Sequence, residues 1–307
     1  MLIVCFGECM LELSGGVSAP ARLGFGGDTF NTAVYLARLG LTPSYLTAVG
    51  CDPYSEAMLA FWRSEGLATE LALRCPDRLP GLYAVHVSTA GERRFYYWRR
   101  DSAARALFAA PGCDAALRTA GTADLLYLSG ITLSLYTREE RARLCDLAAS
   151  VRRRGGEVAF DPNYRPAGWP TAEEARAALR EFAPHVSVAL PTLEDEQALW
   201  GGDAAAAVAR WRGSGAREIV VKQGPLGALA ATPEFEGQVP VPAPITALDT
   251  TAAGDAFNAA YLASRLRRQP ALEAVRLGHT LAGIVIQHPG AITPASATAS
   301  LRERVLR

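Results

Sequence analysis

The sequence predicts an α/β fold in which a central, mostly parallel sheet is flanked by helices on both faces. Short apolar runs rich in β-branched residues alternate with segments whose apolar residues recur at helical spacing, such as 31–39 and 138–154. This alternation is typical of βαβ units. The chain has 307 residues, half of them hydrophobic, which is enough to bury a full core. The predicted strands are 2–6, 44–49, 124–130, 157–161, 186–190 and 218–222.

Two stretches, 11–27 and 79–100, do not follow this rhythm, because they alternate like exposed strands around glycine-containing turns. They predict a small second sheet, with the lid segments at approximately 11–25 and 79–100 of a single domain that spans 1–307. The pattern fits either a lid over the strand ends or an extension of the sheet edge. Helices near 203–213, 254–268 and 271–287 complete the predicted core.

Composition and charge exclude several classes of partner. Lys plus Arg and Asp plus Glu both number 31, so there is no net charge to attract a nucleic acid. The first ten residues lack a basic region and Gly7 and Glu8 interrupt their apolar run, which argues against a signal peptide and for a cytoplasmic protein. No apolar run approaches the length that a membrane helix needs. The six scattered cysteines are expected to be free, mostly buried thiols.

The strongest local signal lies at 248–270, where the small residues Ala252, Ala253 and Gly254 precede a predicted helix. A helix N-terminus offers unpaired N–H groups and a partial positive charge, and small side chains let a phosphate approach the backbone. Asp255 stands in the first turn, where an acidic residue can simply stabilise the helix dipole. Beside an anion site, the same carboxylate can also accept a proton from an attacking hydroxyl.

Two segments carry a family resemblance. The run DTTAAGDAF (249–257) resembles the DTxGAGD signature of PfkB carbohydrate kinases, with Ala252 in place of the commoner glycine, and FGGDTFNTAVYLARLG (25–40) resembles the N-terminal signature of that family. The resemblance implies a ribokinase-like fold and Asp255 as the general base. It also implies that the backbone of Ala252, Ala253 and Gly254 holds the phosphate while a sugar primary hydroxyl attacks the γ-phosphate of MgATP.

A second family segment suggests the nucleotide site. VVKQGPLGALA (220–230) places Lys222 and Gly224 at the end of a predicted strand and Gly227 at the turn into the next one, as a plain hairpin would. Its match to the (K/T)xGxxG segment of the family implies contact with ATP. No Walker motif or protein-kinase motif occurs in the chain. The residues assigned to the nucleotide are Asn163, Lys222, Gly224, Gly227, Ala252 and Gly254.

Metal ligands are not assigned from the sequence. Where the family commonly carries an NxxE motif that organises Mg²⁺ through water, this chain has Thr192 and Asp195, which fit a helix N-cap and first turn equally well. Asp249, Thr251 and the segment 288–292 resemble the monovalent-cation loop of the family. Mg²⁺ is therefore expected with ATP, and a role for K⁺ is left open.

Residues of the first signature, of the predicted second sheet and of the segment after 157–161 are assigned to the sugar. Gly26, Gly27, Asp28 and Asn31 of the first signature suit sugar hydroxyls, although a tight turn and a helix cap would explain them too. Tyr83, Tyr97, Arg99 and Arg165 add two hydroxyls and two guanidinium groups. These four are the candidate specificity residues, although aromatic and basic residues on a strand can also be a plain amphipathic face.

Arginine pairs with a carboxylate in a bidentate manner, so two convergent arginines favour an acid sugar over a neutral one. The segments at 79–83, 91–99, 127–131, 163–166 and 249–255 resemble the 2-keto-3-deoxygluconate kinases within the family. That resemblance implies phosphorylation of the C6 hydroxyl of 2-keto-3-deoxygluconate. A kinase of a neutral sugar, of fructokinase or ribokinase type, and a non-catalytic sugar sensor are the alternatives. A homo-oligomer that pairs through the lid is also expected from the resemblance.

Overall fold

The computed structural model describes residues 1–15, 20–87 and 93–306. In this part of the chain the strands are β1 Ile3–Phe6, β2 Met10–Ser14, β3 Arg22–Gly26, β4 Pro43–Val49, β5 Ala72–Arg74, β6 Leu82–Val87, β7 Arg93–Trp98, β8 Leu125–Ser129, β9 Glu157–Asp161, β10 Val188–Ala189, β11 Glu218–Lys222, β12 Ala228–Ala231 and β13 Glu236–Val239.

The helices in the same ranges are α1 Asp28–Arg38, α2 Pro53–Ser64, α3 Cys113–Ala120, α4 Gly130–Ser134, α5 Arg138–Arg153, α6 Ala172–Phe182, α7 Leu193–Trp200, α8 Ala204–Gly213, α9 Ala253–Leu266, α10 Ala271–Val285 and α11 Ala295–Leu306. None of these helices is long and apolar enough to cross a bilayer.

The larger sheet has the strand order β13-β12-β11-β10-β9-β8-β1-β4-β5. Its strands run parallel except at one edge, where β11, β12 and β13 form antiparallel hairpins. The parallel arrangement results from the alternation of strands and helices along the chain. Each helical crossover lets the next strand begin at the same end of the sheet as the strand before it. The prediction of a mostly parallel sheet flanked by helices is confirmed.

Strand periodicity divides the interior into two apolar cores. Val4 and Phe6 point into one core and Ile3 and Cys5 into the other, because successive side chains of a strand face opposite sides of the sheet. Residues of α3, α5, α6 and α8 pack in the first core, and residues of α1, α2, α9 and α10 pack in the second. The larger sheet is therefore covered by helices on both faces.

The smaller sheet has the order β3-β2-β6-β7, with β2 and β6 parallel and the other pairs antiparallel. It arises from the two stretches that did not follow the α/β rhythm, so the predicted second sheet is confirmed. Residues 16–19 and 88–92 of those stretches lie outside the described residues. That this sheet acts as a lid remains a prediction.

Several boundaries differ from the sequence prediction. The strand predicted at 186–190 is only the two-residue β10, and α11 was not predicted. The six cysteines are free, and Cys5, Cys9, Cys75 and Cys113 are buried, whereas Cys51 is exposed. Burial raises the pKa of the buried Cys75 and Cys113 thiols, so they stay protonated and pack as small apolar groups.

Candidate active site

The N-terminus of α9 begins at a residue in the left-handed backbone region. Ala252, at the N-cap, has φ 61° and ψ 11°, a conformation that glycine adopts at less cost. This explains why the family signature commonly has glycine at the position. The N–H of Ala253 donates to Thr250 O at 3.2 Å, while Gly254 and Asp255 stand in the first turn, where no preceding helix carbonyl is available to their N–H groups. The start of α9 therefore has the N–H groups that an anion-binding terminus would need.

The Asp255 side chain lies half-buried beside that terminus, and Asn31 Nδ2 donates to its Oδ2 at 2.8 Å. Burial raises the pKa of Asp255 to about 8, and the nearby Asp28 and Asp161 carboxylates act in the same direction, against the Asn31 hydrogen bond and Lys222. A carboxyl group with a pKa close to neutral can both accept and release a proton. The role of Asp255 as general base remains a prediction.

A buried polar network lies at the carboxyl ends of β9 and β11. Lys222 Nζ contacts Asp161 Oδ2 at 2.7 Å and Asn258 Oδ1 at 2.9 Å, and Asn258 Nδ2 donates to Asp161 Oδ2 at 2.6 Å. A Cβ built on Gly254 would lie 3.5 Å from Lys222 Nζ, so the ammonium group sits next to the start of α9. The network connects the ends of β9 and β11 to α9.

Asp28, the first residue of α1, faces the loop that follows β9. Asn163 Nδ2 donates to Asp28 Oδ2 at 2.8 Å, and Asn163 N donates to Asp161 Oδ1 at 3.1 Å. Asn163 also has a positive φ of 35°, a region in which asparagine is among the few tolerated residues. The structure therefore brings Asn163, assigned to the nucleotide by sequence, into contact with Asp28, assigned to the sugar.

The two glycines before α1 allow close approach of other chain segments. A Cβ on Gly26 would lie 2.2 Å from the Tyr83 hydroxyl oxygen, and one on Gly27 would lie 2.1 Å from Glu8 O. Tyr83 is buried and donates its hydroxyl hydrogen to Glu12. A larger side chain at either position would push the smaller sheet away from α1, so the glycines are needed for packing whatever they contribute to the sugar.

Tyr97, on the smaller sheet, lies near charged residues of the candidate site. It pairs with Tyr83 across β6 and β7, and their rings lie 6.0 Å apart. Burial raises the pKa of Tyr97, whereas the neighbouring Arg99 and Arg165 lower it and Asp28 raises it. Both candidate arginines therefore lie close enough to Tyr97 to change its ionisation.

Each candidate arginine has a carboxylate partner. Arg165 Nη1 lies 2.8 Å from Asp195 Oδ1 on α7, and more than half of its side chain is exposed. Burial alone would lower the pKa of Arg165, but Asp195 and Asp161 raise it above the usual range. Arg99 pairs with Glu8. Asp195, which replaces the glutamate of the family's NxxE motif, is thus engaged with a candidate substrate residue.

The glycines of the predicted nucleotide loop join β11 to β12. Gly224 has φ 54°, and a Cβ there would meet nothing within 4 Å, while a Cβ on Gly227 would lie 2.2 Å from Val239 O. Gly224 therefore leaves open space above the backbone, and Gly227 is required by the close approach of β13. Leu226 and Leu248 are exposed apolar side chains in this connection and in the loop before α9.

The residues that resemble the monovalent-cation loop also come together. Asp249 is buried, its Oδ2 accepts the N–H of Gly290 at 2.6 Å, and its Oδ1 accepts the N–H of Thr251 at 2.9 Å. Within the described ranges there is no cluster of three or more His, Cys, Asp or Glu side chains able to hold a metal ion.

Sequence reasoning missed four polar residues of the site: Glu8, Glu12, Asp161 and Asn258. Asp161 ends a predicted core strand and Asn258 interrupts the apolar stripe of α9, so a polar residue at a position expected to be buried was the available signal. Glu12 lies in the stretch 11–27 that reads as exposed, and Glu8 interrupts the apolar run before it; only the folded chain shows Glu8 to be buried.

The fold brings the N-terminus of α9, the Asp255 carboxyl group and several polar side chains to the same strand ends, an arrangement that fits a sugar kinase. The comparisons agree, since residues 1–298 match the model of the pfkB family carbohydrate kinases. The chain belongs to that family, and it has the ribokinase-like fold.

Similar proteins support this assignment. The chain is 42% identical to a 2-dehydro-3-deoxygluconokinase of Dickeya dadantii (strain 3937), over 96% of this chain and 97% of that protein. It is also 42% identical to a 2-dehydro-3-deoxygluconokinase of Escherichia coli (strain K12), over 96% and 98%. Its fold matches the structure of a fructokinase with bound ATP from Xylella fastidiosa with a TM-score of 0.82 at 21% identity, covering 99% of this chain and 98% of that one.

Proposed function

We propose that the protein catalyses ATP-dependent phosphorylation of 2-keto-3-deoxy-D-gluconate, also called 2-dehydro-3-deoxy-D-gluconate, at its C6 hydroxyl, giving 6-phospho-2-keto-3-deoxygluconate and ADP. Full-length relatives of that activity at 42% identity support the reaction. The observation that carries the proposal in the structure is the position of Asp255, which is held by Asn31 at the N-terminus of α9. The alternative, a kinase of a neutral sugar, has less support.

Asp255 accepts the proton of the C6 hydroxyl as its oxygen attacks the γ-phosphorus, and the bond to the bridging oxygen of ADP breaks. The first-turn N–H groups of α9 and the ammonium of Lys222 stabilise negative charge on the transferring phosphoryl group. Small side chains at Ala252, Ala253 and Gly254 leave room for it. Asn31 keeps the carboxylate oriented, since its amide hydrogen bonds to one of the two oxygens.

The convergence of Arg99, Arg165 and Tyr97 supports an acid sugar. Two guanidinium groups near one phenol can bind a carboxylate at the far end of a six-carbon chain while its C6 hydroxyl reaches Asp255. Asp195 pairs with Arg165 and keeps its guanidinium group oriented before the substrate arrives. Asp28 and Asn31 would bind the hydroxyl groups between the two ends.

The residues present fit ATP as the second substrate. Gly224 has no steric neighbour above its backbone, and exposed Leu226 offers an apolar surface to a base. Mg²⁺ would neutralise phosphate charge when bound with ATP, and phosphate oxygens and water would supply its ligands, in keeping with its reluctance to lose water. K⁺ would be held at Asp249 and the 288–292 segment.

The assignment is tested by coupled measurement of ADP release with 2-keto-3-deoxygluconate, fructose and ribose side by side. The acid sugar is expected to have a kcat/KM at least about a hundredfold above that of the neutral sugars. A neutral sugar lacks the carboxylate, and the loss of its hydrogen bonds to the arginines should cost about 2 to 3 kcal/mol. ³¹P and ¹³C spectra of the product should place the phosphate at C6. Faster turnover of a neutral sugar would favour the alternative.

The smaller sheet is proposed to act as the lid of one kinase domain that spans the chain. Its face opposite Tyr97 carries Leu23, Tyr96 and Trp98, each at least half exposed. Such a patch favours pairing with the same sheet of a second copy. Sedimentation of the protein and of a Trp98→Lys variant tests this, with loss of the dimer expected in the variant. We place the enzyme in the cytoplasm, since it consumes ATP.

A further inference from the structure

Glu8 is a buried carboxylate at the junction of the two sheets. It lies in the connection between β1 of the larger sheet and β2 of the smaller one, and 1% of its side chain is exposed. Its partner is Nη2 of Arg99, which directly follows β7. The ion pair therefore links the core of the protein to the far strand of the smaller sheet.

The surroundings hold Glu8 in one place. A Cβ on Gly81 would lie 2.7 Å from Glu8 Oε1, and a Cβ on Gly27 would lie 2.1 Å from Glu8 O, so two glycine backbones pack directly against this residue. A buried carboxylate without a cation is strongly unfavourable. Separation of Arg99 from Glu8 would therefore cost free energy, and the ion pair stays formed.

Arg99 is held from two sides and keeps part of its surface free. Its Cζ lies 6.0 Å from the centre of the Tyr97 ring, and 18% of its side chain is exposed. Arg105 is a further cation near the pair, and its Nη1 donates to Leu135 O at 3.0 Å. The guanidinium groups of Arg99 and Arg105 thus both lie near the Glu8 carboxylate.

We infer that Glu8 is a positioning residue for substrate recognition: by binding one edge of the Arg99 guanidinium, it directs the remaining N–H groups toward the carboxylate of the acid sugar. The inference rests on the proposed function. Orientation of a long, flexible side chain before binding avoids an entropic cost when the substrate binds. The opposite effect, in which Glu8 competes with the substrate for Arg99, would make the variant without the charge bind the acid sugar more tightly.

The test compares Glu8→Gln with the wild-type enzyme on 2-keto-3-deoxygluconate and on its carboxamide, which lacks the carboxylate charge. We expect the KM for the acid to rise about tenfold, with kcat and the KM for the carboxamide changing less than about twofold, because a group remote from the reacting atoms affects binding alone. Glu56→Gln, which removes the same charge from an exposed pair with Arg74, is the matched control and should change neither KM.

A double-mutant cycle separates positioning from general structural damage. In an Arg99→Gln background, Glu8→Gln should cause no further rise in the KM for the acid. Equal rises for acid and carboxamide, a fall in the KM for the acid, or an undiminished effect in the Arg99→Gln background would overturn the inference. If thermal unfolding shows that Glu8→Gln does not fold, Glu8→Asp is the second variant, because it keeps the charge on a shorter side chain. We expect a smaller rise in the KM for the acid and no change in the KM for the carboxamide.

The two proposals fail in different ways. If the wild-type enzyme does not phosphorylate the acid sugar, the proposed function falls and this inference with it. If the wild-type enzyme does so and the ratio of the two KM values is unchanged in the Glu8 variant, only the role of Glu8 is wrong.

Discussion

The two halves of the candidate site differ in how far their side chains are buried. The core half, at the ends of β9 and β11 and the start of α9, consists of the buried groups Asp161, Lys222 and Asn258 around Asp255. The half on the smaller sheet consists of Tyr97, which is about half exposed, and Arg99, which depends on an ion pair with the core.

This difference separates chemistry from selectivity. Phosphoryl transfer is the same for any alcohol and needs a fixed, water-poor arrangement of charge, which a packed core provides. Recognition of the sugar needs groups that reach its far end, and an extension outside the core can vary without disturbing the reaction. Variants of the buried core groups should therefore affect every substrate, and variants of Tyr97, Arg99 and the exposed Arg165 should affect only the acid sugar.

The largest effect is expected for Asp255→Asn. Loss of the base should lower kcat by about 10² to 10⁴, equally for the acid sugar and a neutral one, while ATP binding changes little. Steady-state kinetics and nucleotide titration provide the measurement. Near-normal turnover would remove Asp255 from the mechanism, and a loss confined to the acid sugar would contradict the division of roles.

Asp161→Asn should lower the free energy of unfolding by about 3 kcal/mol, because it leaves the Lys222 ammonium buried without its carboxylate. The side chains of this pair are 8% and 5% exposed. Glu273→Gln breaks the Arg276–Glu273 pair, whose side chains are about half exposed, and should cost less than about 0.5 kcal/mol. Urea unfolding compares the two, and a loss below about 1 kcal/mol for Asp161→Asn would show that the core network is dispensable.

The pH profile tests the raised pKa of Asp255. Because the base must be ionised, kcat/KM should rise about tenfold between pH 7 and a plateau above the pKa of about 8. The folded-state pKa lies above the unfolded one, so ionisation of Asp255 costs stability as the pH rises from about 4 to about 8. The free energy of unfolding of Asp255→Asn, relative to that of the wild type, should therefore be higher at pH 9 than at pH 5. A flat activity profile across this range would contradict the assignment.

Arg165→Ala and Arg99→Ala should each raise the KM for the acid sugar about tenfold and leave that for its carboxamide nearly unchanged, since each removes one charge-assisted contact. The Arg99 variant should also be less stable, because Glu8 would be left buried without its partner, whereas Arg165 is largely exposed. Equal effects on the two substrates would mean that the arginines hold the sheet rather than the carboxylate.

The smallest effect is expected for Ala252→Gly. The left-handed φ of 61° costs alanine about 1 kcal/mol relative to glycine, so the variant should be about that much more stable with unchanged kcat. Thermal unfolding and steady-state kinetics measure both quantities. A loss of stability would mean that the methyl group packs favourably at the helix start.

The sequence alone determined the α/β class, the second sheet and the position of Asp255, because these depend on signals within a few residues: strand periodicity, glycine turns and small residues before a helix. The folded chain decided which polar groups meet. Asn258 reaches Asp161 and Lys222 from 97 and 36 residues away, and Glu8 meets Arg99 across two sheets. Local patterns carry no information on such contacts, since strand order and helix packing bring these residues together only in the tertiary structure.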